Sequence, residues 1–232
     1  MARTVNEQEY AVKRAEILDV TWRLLYSKGY EQITIKDIIA ELKISKGAFY
    51  HYFDSKQDLL VGMLDRLRSQ GTQIFEQILS EPDIPTSRRL QRFFDAAGRW
   101  KVAQKEHILS LLRSWYADEN AVVRLHVQES MLEYVGPLLN DVIARGVAEG
   151  ELNTPFPDLA GGIVIGMLLR LGDTFSSMLL EPGRYHDPLQ AAEQMVAAYN
   201  DAMERVLGAR PGSLHLIDAA TTREWFGAGG TL

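Results

Sequence analysis

Residues 45–53, SKGAFYHYF, combine hydrogen-bond donors, small residues and aromatic rings in one short stretch. The ammonium group of Lys46 can donate to a base edge or to a phosphate, and the hydroxyl of Tyr50 can donate to a phosphate. Gly47 and Ala48 carry little or no side chain, so the backbone at this point can lie close to base edges. Together these residues predict a surface that contacts DNA.

Two short helices separated by a tight turn would position these residues. Thr34 is a typical N-cap with Asp37 three residues later, and apolar residues recur over 35–42 at the spacing of one helical face. Ser45 would cap a second helix, on which Phe49 can face inward. This arrangement is the helix-turn-helix pattern, whose second helix enters the major groove.

A third helix start follows directly in the sequence. Ser55 occupies the position of an N-cap, and Lys56 in the first turn would lie where free backbone amides already favour a phosphate oxygen. The helix is predicted over residues 55–79, where leucine and methionine recur at helical spacing. It would connect the DNA-contacting segment to the rest of the chain.

The same segment closely resembles the TetR family of bacterial one-component repressors. The resemblance rests on GAFYHYF at 47–53 with Ser55 and Lys56 after it, and it covers roughly residues 10 to 60, about a fifth of the chain. It implies an all-α fold with an N-terminal helix-turn-helix domain and a larger C-terminal helical domain for ligand binding and dimerisation. In that family, residues at or near the DNA match Thr34, Lys36, Ser45, Lys46, Gly47, Ala48, Tyr50, His51, Tyr52 and Lys56.

The turn between the two short helices departs from the family pattern. Lys43 stands where the family usually has a glycine that closes the turn, and Ile39 and Leu42 replace residues that are usually small. A left-handed helix cap at a lysine costs about 1 kcal/mol relative to glycine. The departure concerns the tilt of the second helix rather than its existence.

Composition and charge are compatible with a soluble DNA-binding protein. The chain has 232 residues, 46% of them hydrophobic, and no cysteine, which excludes disulfides and cysteine metal sites. The net charge is −6, but residues 1–56 hold nine basic and eight acidic residues, a local charge of +1 that leaves −7 elsewhere. The N-terminus lacks the apolar core of a secretory signal, so we expect a cytoplasmic protein.

The rest of the chain predicts helices and no long run that alternates with a period of two residues. We therefore predict an all-α protein. Its expected parts are a helix-turn-helix DNA-binding domain, a connecting helix, an effector-binding and dimerisation domain, and a C-terminal tail, at 1–54, 55–80, 81–208 and 209–232 respectively. The tail contains apolar residues that could dock on the body of the protein.

Residues 159–180 form the most apolar stretch, long enough to span a bilayer. Arg170, Asp173 and four glycines interrupt it, which favours a helix buried in protein. Gly162 and Gly166, four residues apart, predict a close helix–helix crossing. The family resemblance implies that the last two long helices pair with their copies in a homodimer. Independently, two such helices carry more apolar surface than a monomer usually exposes to water.

A cavity among the C-terminal helices is the expected place for a small-molecule effector of unknown identity. By position, the candidate lining residues are Phe94, Trp100, His107, Arg113, Trp115, Tyr116, Met131, Met167, Arg170 and Phe175. For each aromatic or methionine the alternative is a plain core position. An arginine inside an apolar helix would need a partner, which for Arg170 could be Asp173 or, alternatively, an anionic effector.

No catalytic or metal-binding pattern stands out. The five histidines are scattered without paired ligand spacing, and no nucleophile elbow or phosphate-binding loop follows a predicted strand. We therefore expect no enzyme activity, no metal, no cofactor and no membrane insertion.

The expected function is a homodimeric transcriptional repressor that a small molecule releases from a palindromic double-stranded operator. One alternative is an all-helical binding protein or enzyme that retains the N-terminal fold without operator binding. Another is an activator or architectural DNA protein with no effector.

Overall fold

The computed structural model describes residues 7–28, 32–81 and 84–227. Within these ranges the chain forms helices, short 3-10 turns and loops, and no strand, so the all-α prediction is confirmed. The α-helices are α1 (Glu7–Lys28), α2 (Ile35–Leu42), α3 (Lys46–Tyr50), α4 (Lys56–Leu79), α5 (Thr86–Ala103), α6 (Lys105–Tyr116), α7 (Ala121–Ala148), α8 (Pro157–Leu180), α9 (Pro188–Leu207) and α10 (Ala219–Phe226).

The chain divides into two compact units. The N-terminal unit consists of Met1–Arg68 and Glu106–Arg124, and the C-terminal unit consists of Ser69–Lys105 and Leu125–Leu232. Helices α4, α6 and α7 each contribute residues to both units. Each unit has a hydrophobic core of its own, as expected for a separately packed body.

The core of the N-terminal unit joins α1, α2, α3, α4 and one residue of α6. Phe49, predicted to face inward, has no exposed surface, and Phe53 is 1% exposed. The guanidinium of Arg14 lies over the Phe53 ring at 4.6 Å, a cation–π contact. The buried members are Ile17, Leu18, Val20, Leu25, Ile33, Ile38, Phe49, Phe53, Leu59, Leu60, Met63 and Leu111.

Helix α2 begins with the predicted capping box. The Thr34 hydroxyl accepts from the Asp37 amide at 3.2 Å, and the Asp37 carboxylate accepts from the Thr34 amide at 2.8 Å. Two otherwise unpaired backbone donors are thereby satisfied, which sets the first residue of the helix. The ammonium of Lys28 also bonds the Asp37 carboxylate, at 3.0 Å, so α1 holds the start of α2.

The turn between α2 and α3 has the conformation that the sequence predicts at its unusual residue. Lys43 has φ 52° and ψ 39°, in the left-handed region, and its amide donates to the Ala40 carbonyl. Ser45 then caps α3 by accepting from the Ala48 amide at 3.1 Å, and Ser55 caps α4 by accepting from the Asp58 amide at 2.9 Å. Local hydrogen bonds thus define all three helix starts.

In the C-terminal unit, helices α7 and α8 cross closely at a glycine. A Cβ on Gly161 would lie 2.4 Å from the Gly136 carbonyl oxygen and 2.6 Å from Oδ1 of Asn140, so only hydrogen fits there. The backbone of Gly162 takes part in this crossing, since a Cβ on Gly136 would lie 3.5 Å from the Gly162 Cα, but a Cβ on Gly162 or Gly166 would itself meet nothing within 4 Å. The close approach lies one residue earlier, on the adjacent face of α8.

Residues 209–227 of the C-terminal tail are folded onto the C-terminal unit. The buried Glu204 carboxylate accepts from the amides of Gly212 and Leu214, both at 2.9 Å, and Leu214 and Leu216 are each 1% exposed. Helix α10 follows, and its Phe226 ring packs edge-on against Phe175 of α8 at 4.8 Å between centroids. This described part of the tail therefore contributes to the core of the C-terminal unit.

Among the described residues, α8 is the one helix long and apolar enough to cross a membrane by length and composition. This is weak evidence, because the core helix of a soluble protein meets the same criterion. Leu159 and Ile163 of this helix are exposed.

The Asp37 cap has a pH dependence that can be predicted. Hydrogen bonds, first from the Thr34 backbone and then from Lys28, lower the pKa of the Asp37 carboxyl from 3.8 to about 2. Because the pKa is lower in the folded chain, the cap contributes fully above about pH 4, and its contribution is lost as the pH falls towards 2. Asp37→Asn should therefore lower the free energy of unfolding at pH 7, and the difference from wild type should shrink at pH 3 in urea titrations. A difference that is constant from pH 7 to pH 3 would contradict this account.

The glycine crossing predicts a large difference between two matched substitutions. Gly161→Ala should lower the free energy of unfolding by about 2 kcal/mol, because the new methyl group overlaps α7 backbone atoms. Gly172→Ala on the same helix meets nothing within 4 Å and should leave stability unchanged or raise it by up to about 1 kcal/mol. Urea denaturation followed by circular dichroism measures both, and equal effects of the two variants would be inconsistent with the crossing.

Candidate nucleic-acid interface

All ten predicted DNA-contacting residues lie on α2 and its N-cap, on α3, on the first turn of α4 and on the segments between these helices. Ala48, Tyr52 and Lys56 are half-buried. The other seven side chains or backbone positions are exposed, namely Thr34, Lys36, Ser45, Lys46, Gly47, Tyr50 and His51. The structure therefore brings the predicted residues together within the N-terminal unit.

One side of helix α3 is anchored in the core of the N-terminal unit, and other side chains of the helix are exposed to solvent. Phe49 is fully buried and packs against Phe53, with ring centroids 6.1 Å apart, whereas Tyr50 is 40% exposed. The ammonium of Lys46 lies 5.7 Å from the centre of the Tyr50 ring, since residues four apart share a helical face. The two side chains that can donate to phosphates or bases are thus neighbours on the outer face.

Gly47 has no packing role in the described chain. A Cβ at this position would meet a single atom within 4 Å, the Ser45 hydroxyl oxygen at 4.0 Å. Its backbone is not among those with a positive φ, so no conformational requirement favours glycine there. A small residue at this exposed position leaves room for a molecule that approaches α3 from outside.

Tyr10 of α1 braces the end of α3, a role that the sequence analysis missed. The Tyr10 ring lies 4.9 Å from the Tyr52 ring and 5.6 Å from the His51 ring, between centroids. Tyr10 precedes the buried Ile17 by seven residues, a spacing that places both on one face of α1. That spacing is the sequence feature from which the packing of Tyr10 against the core side of α1 could have been predicted. The ring cluster holds two of the predicted DNA-contacting residues against α1.

The charges around α2 and α3 favour an anionic partner. The acidic residues of α2 are paired with α1, Asp37 with Lys28 at 3.0 Å and Glu41 with Arg23 at 3.3 Å. Within the described ranges, the ammonium groups of three further lysines form no ion pair with a carboxylate, namely Lys36, Lys43 and Lys46. Unneutralised lysines beside neutralised acids produce a locally positive surface on an acidic protein.

The predicted effector residues are divided between the two units. His107, Arg113, Trp115 and Tyr116 belong to the N-terminal unit, and the other six belong to the C-terminal unit. His107 packs edge-on against Trp22 of α1, with centroids 4.6 Å apart, and desolvation lowers the pKa of its imidazole. The Tyr116 ring lies 5.2 Å from the Arg124 guanidinium, and Trp115 is half-buried.

The six candidates of the C-terminal unit lie in different surroundings. Phe94 is 1% exposed in the larger core cluster, and Met131 and Met167 pack against that cluster. Phe175 belongs to a smaller cluster with Leu171, Met178, Ala192 and Val196. Trp100 is half-buried on α5, and Arg170 is exposed on α8. Most of these side chains are core residues, and no single cluster holds all six.

The arginines of α6 and α8, for which a charged partner was considered from the sequence, lie at the surface. Arg113 and Arg170 are both exposed, because each lies on the outward side of its helix and needs no buried partner. The Asp173 carboxylate accepts from the Gln128 side-chain amide of α7, at 3.2 and 3.3 Å. Whether a charged side chain is exposed depends on which face of its helix it occupies relative to the core. A run of apolar residues in the sequence does not show this.

Comparison with known proteins finds a family model that matches part of the N-terminal unit. Residues 17–63 match the family model for bacterial regulatory proteins of the tetR family. The HTH-type transcriptional repressor DhaR of Mycobacterium sp. (strain GP1) is 29% identical over 96 residues, which cover 41% of this chain and 45% of that protein. The chain spans about half or less of the length of the first curated relatives it matches.

Solved structures are similar over most of the chain. A TetR transcription regulator from Haloarcula marismortui is 26% identical with a TM-score of 0.60, and the match covers 83% of this chain and 98% of that one. RolR, solved in complex with resorcinol, has the same fold at 19% identity and a TM-score of 0.53, with 98% of both chains covered. The helix-turn-helix geometry and these similarities agree: residues 17–63 match the tetR family of bacterial regulatory proteins, and the fold of the chain is similar to that of solved TetR-family regulators.

Proposed function

We propose that this protein is a cytoplasmic DNA-binding transcriptional regulator. The observation that carries the proposal is the outer face of α3, where Lys46, Gly47 and Tyr50 are exposed while Phe49 anchors the helix in the core. In a major groove, Lys46 would donate to a base edge or phosphate and Tyr50 to a phosphate, while Gly47 would allow close approach of the backbone. The N-terminal unit is the part that reads DNA.

The protein acts as a homodimer in this proposal, through a face of α8 and α9. Phe156 and Leu159 are each 64% exposed and Ile163 is 48% exposed, and a Cβ on Gly162 or Gly166 would meet no atom of the chain. Leu159, Ile163 and Gly166 recur at spacings of four and three, so they lie on one face of α8. Exposed apolar side chains beside open glycines favour the close approach of another helix.

A second copy of the chain is the occupant that this face fits best. The adjoining α9 exposes the small residues Ala197 and Ala198, which allow two copies to approach across a two-fold axis. A two-fold axis would also place two α3 helices in successive major grooves, about 34–36 Å apart, so that the dimer reads a palindrome. Dimerisation and operator symmetry are then consequences of one interface.

The regulator is a repressor that a small molecule releases, and the C-terminal unit binds that effector. The smaller apolar cluster around Phe175 supports this part, since Tyr185, Tyr199 and Phe226 pack against it while only partly buried. RolR, of the same fold, binds resorcinol, an aromatic ligand of the kind that such rings would accept. An effector can shift the spacing of the recognition helices only by its differential affinity for the two conformations.

In vitro selection of random DNA duplexes by the purified protein tests operator binding. The expected outcome is an enriched palindrome whose half-sites are about one helical turn apart. Small aromatic molecules can then be screened for release of that duplex. A folded dimer that enriches no sequence, with or without cell extract as a source of effector, would contradict the proposal.

Substitutions on α3 should separate DNA binding from folding. Gly47→Ala and Tyr50→Ala should each weaken operator binding about 5-fold to 150-fold, corresponding to about 1–3 kcal/mol, as measured by fluorescence anisotropy. Gly47→Ala should keep or raise the unfolding temperature, because alanine favours a helix and nothing packs there. Val122→Ala, at a 76% exposed position of the same unit, is the control. Normal operator binding by the folded double variant would show that α3 does not read the DNA.

A charged residue on the exposed face of α8 should split the dimer. Ile163→Glu would place two carboxylates against apolar surface across the two-fold axis, so the mass in sedimentation equilibrium should fall from dimer to monomer. Operator affinity should fall with it. Val12→Glu, at a 61% exposed position on α1, should leave the mass unchanged. An unchanged dimer in Ile163→Glu would rule out this face as the interface.

A further inference from the structure

Arg89 of α5 is a buried cation whose hydrogen-bonding capacity is largely unused. The residue is 3% exposed, and its Nη2 donates to the Ile84 carbonyl at 3.3 Å. The Nε and Nη1 atoms are buried and have no hydrogen-bond partner among the residues that the structure describes. A guanidinium stays protonated in proteins, so Arg89 cannot escape the cost of burial by losing its charge.

The carboxylates that contact α5 bond to residues of this helix other than Arg89. Glu151 accepts from the Thr86 amide and from both the amide and the hydroxyl of Ser87, at 2.7–3.0 Å. Glu149 accepts from the Thr86 hydroxyl at 3.1 Å. Glu81 forms an ion pair with Arg92. These contacts leave the positive charge of Arg89 without a carboxylate from this group.

An unpaired buried charge costs several kcal/mol, whereas a charge that is paired and hydrogen-bonded costs far less. The missing partner must therefore supply negative charge and several acceptor lone pairs. An oxyanion meets both requirements, because it is negatively charged and its oxygens can accept N–H groups along one edge of the guanidinium.

We propose that Arg89 anchors an internal binding site for a small monocarboxylate with an apolar body. Thr86 and Phe93 share the helical strip of Arg89, at spacings of three and four, and they are 0% and 2% exposed. Leu90 beside them is 1% exposed and belongs to the larger core cluster. The single negative charge of a carboxylate would neutralise the single positive charge of Arg89. The apolar body of the ligand would pack against these apolar neighbours. Inorganic phosphate would bring a second charge into surroundings that offer it no partner.

Thermal unfolding of the full chain without DNA tests the site independently of operator binding. Sodium benzoate, added at constant ionic strength, should raise the Tm by about 5 °C or more at about a hundred times its Kd. Benzyl alcohol, the neutral molecule of the same shape, should have no such effect, and neither should inorganic phosphate. Equal shifts with benzyl alcohol, a shift with phosphate alone, or no shift with benzoate would each overturn the proposal.

Two matched variants assign any benzoate response to this residue. Arg89→Met should abolish the shift, whereas Arg92→Met, on the exposed side of the same helix, should retain it. Without benzoate, Arg89→Met should be as stable as wild type or more stable, because it removes a buried charge that lacks a partner. A large loss of stability in Arg89→Met, or failure of that variant to fold, would show that the chain itself neutralises Arg89 and would overturn the proposal. An Arg89→Met variant whose Tm still rises with benzoate as much as that of the wild type would also overturn the proposal.

Discussion

The burial of Phe49 is the constraint on which the candidate DNA-binding surface depends. Helix α3 has only five residues, and a peptide helix of that length does not persist in water by itself. Its orientation is therefore set by a side chain with no exposed surface, packed against Phe53 and the core of the N-terminal unit. With Phe49 pointing inward, Lys46 and Tyr50, which are four residues apart, share an exposed face of α3. Tyr10 adds a second attachment by packing against the rings that follow α3.

A comparable constraint governs the C-terminal unit, where α7 and α8 approach so closely at Gly161 that no Cβ fits. With that face of α8 committed to α7, the face that includes Leu159 and Ile163 remains exposed. The apolar surface proposed for dimerisation is thus a consequence of an intrachain contact. Because the two faces of α8 are adjacent, a shift of one residue in the crossing would bury one face and expose the other.

Local features of the structure could be predicted from the sequence because their partners lie within a few residues. The capping box of Thr34 and Asp37, the caps at Ser45 and Ser55 and the left-handed Lys43 depend on backbone groups a few residues away, and all of them are present. Contacts between distant segments could not be predicted in this way. Helical spacing indicated that glycines of α8 make a close crossing, but the identity of the crossing residue depends on how α7 lies against it.

The sequence by itself determined the helical fold, the capped helix starts and the family resemblance, because each depends on short-range patterns of residue type. Only the tertiary structure decided which charges are buried, because burial depends on the rotation of each helix against its neighbours. Arg113 and Arg170, which interrupt apolar helices, are exposed, whereas Arg89, in a segment rich in charged residues, is 3% exposed. A linear pattern records the residue types along a helix, whereas packing selects the face that water can reach.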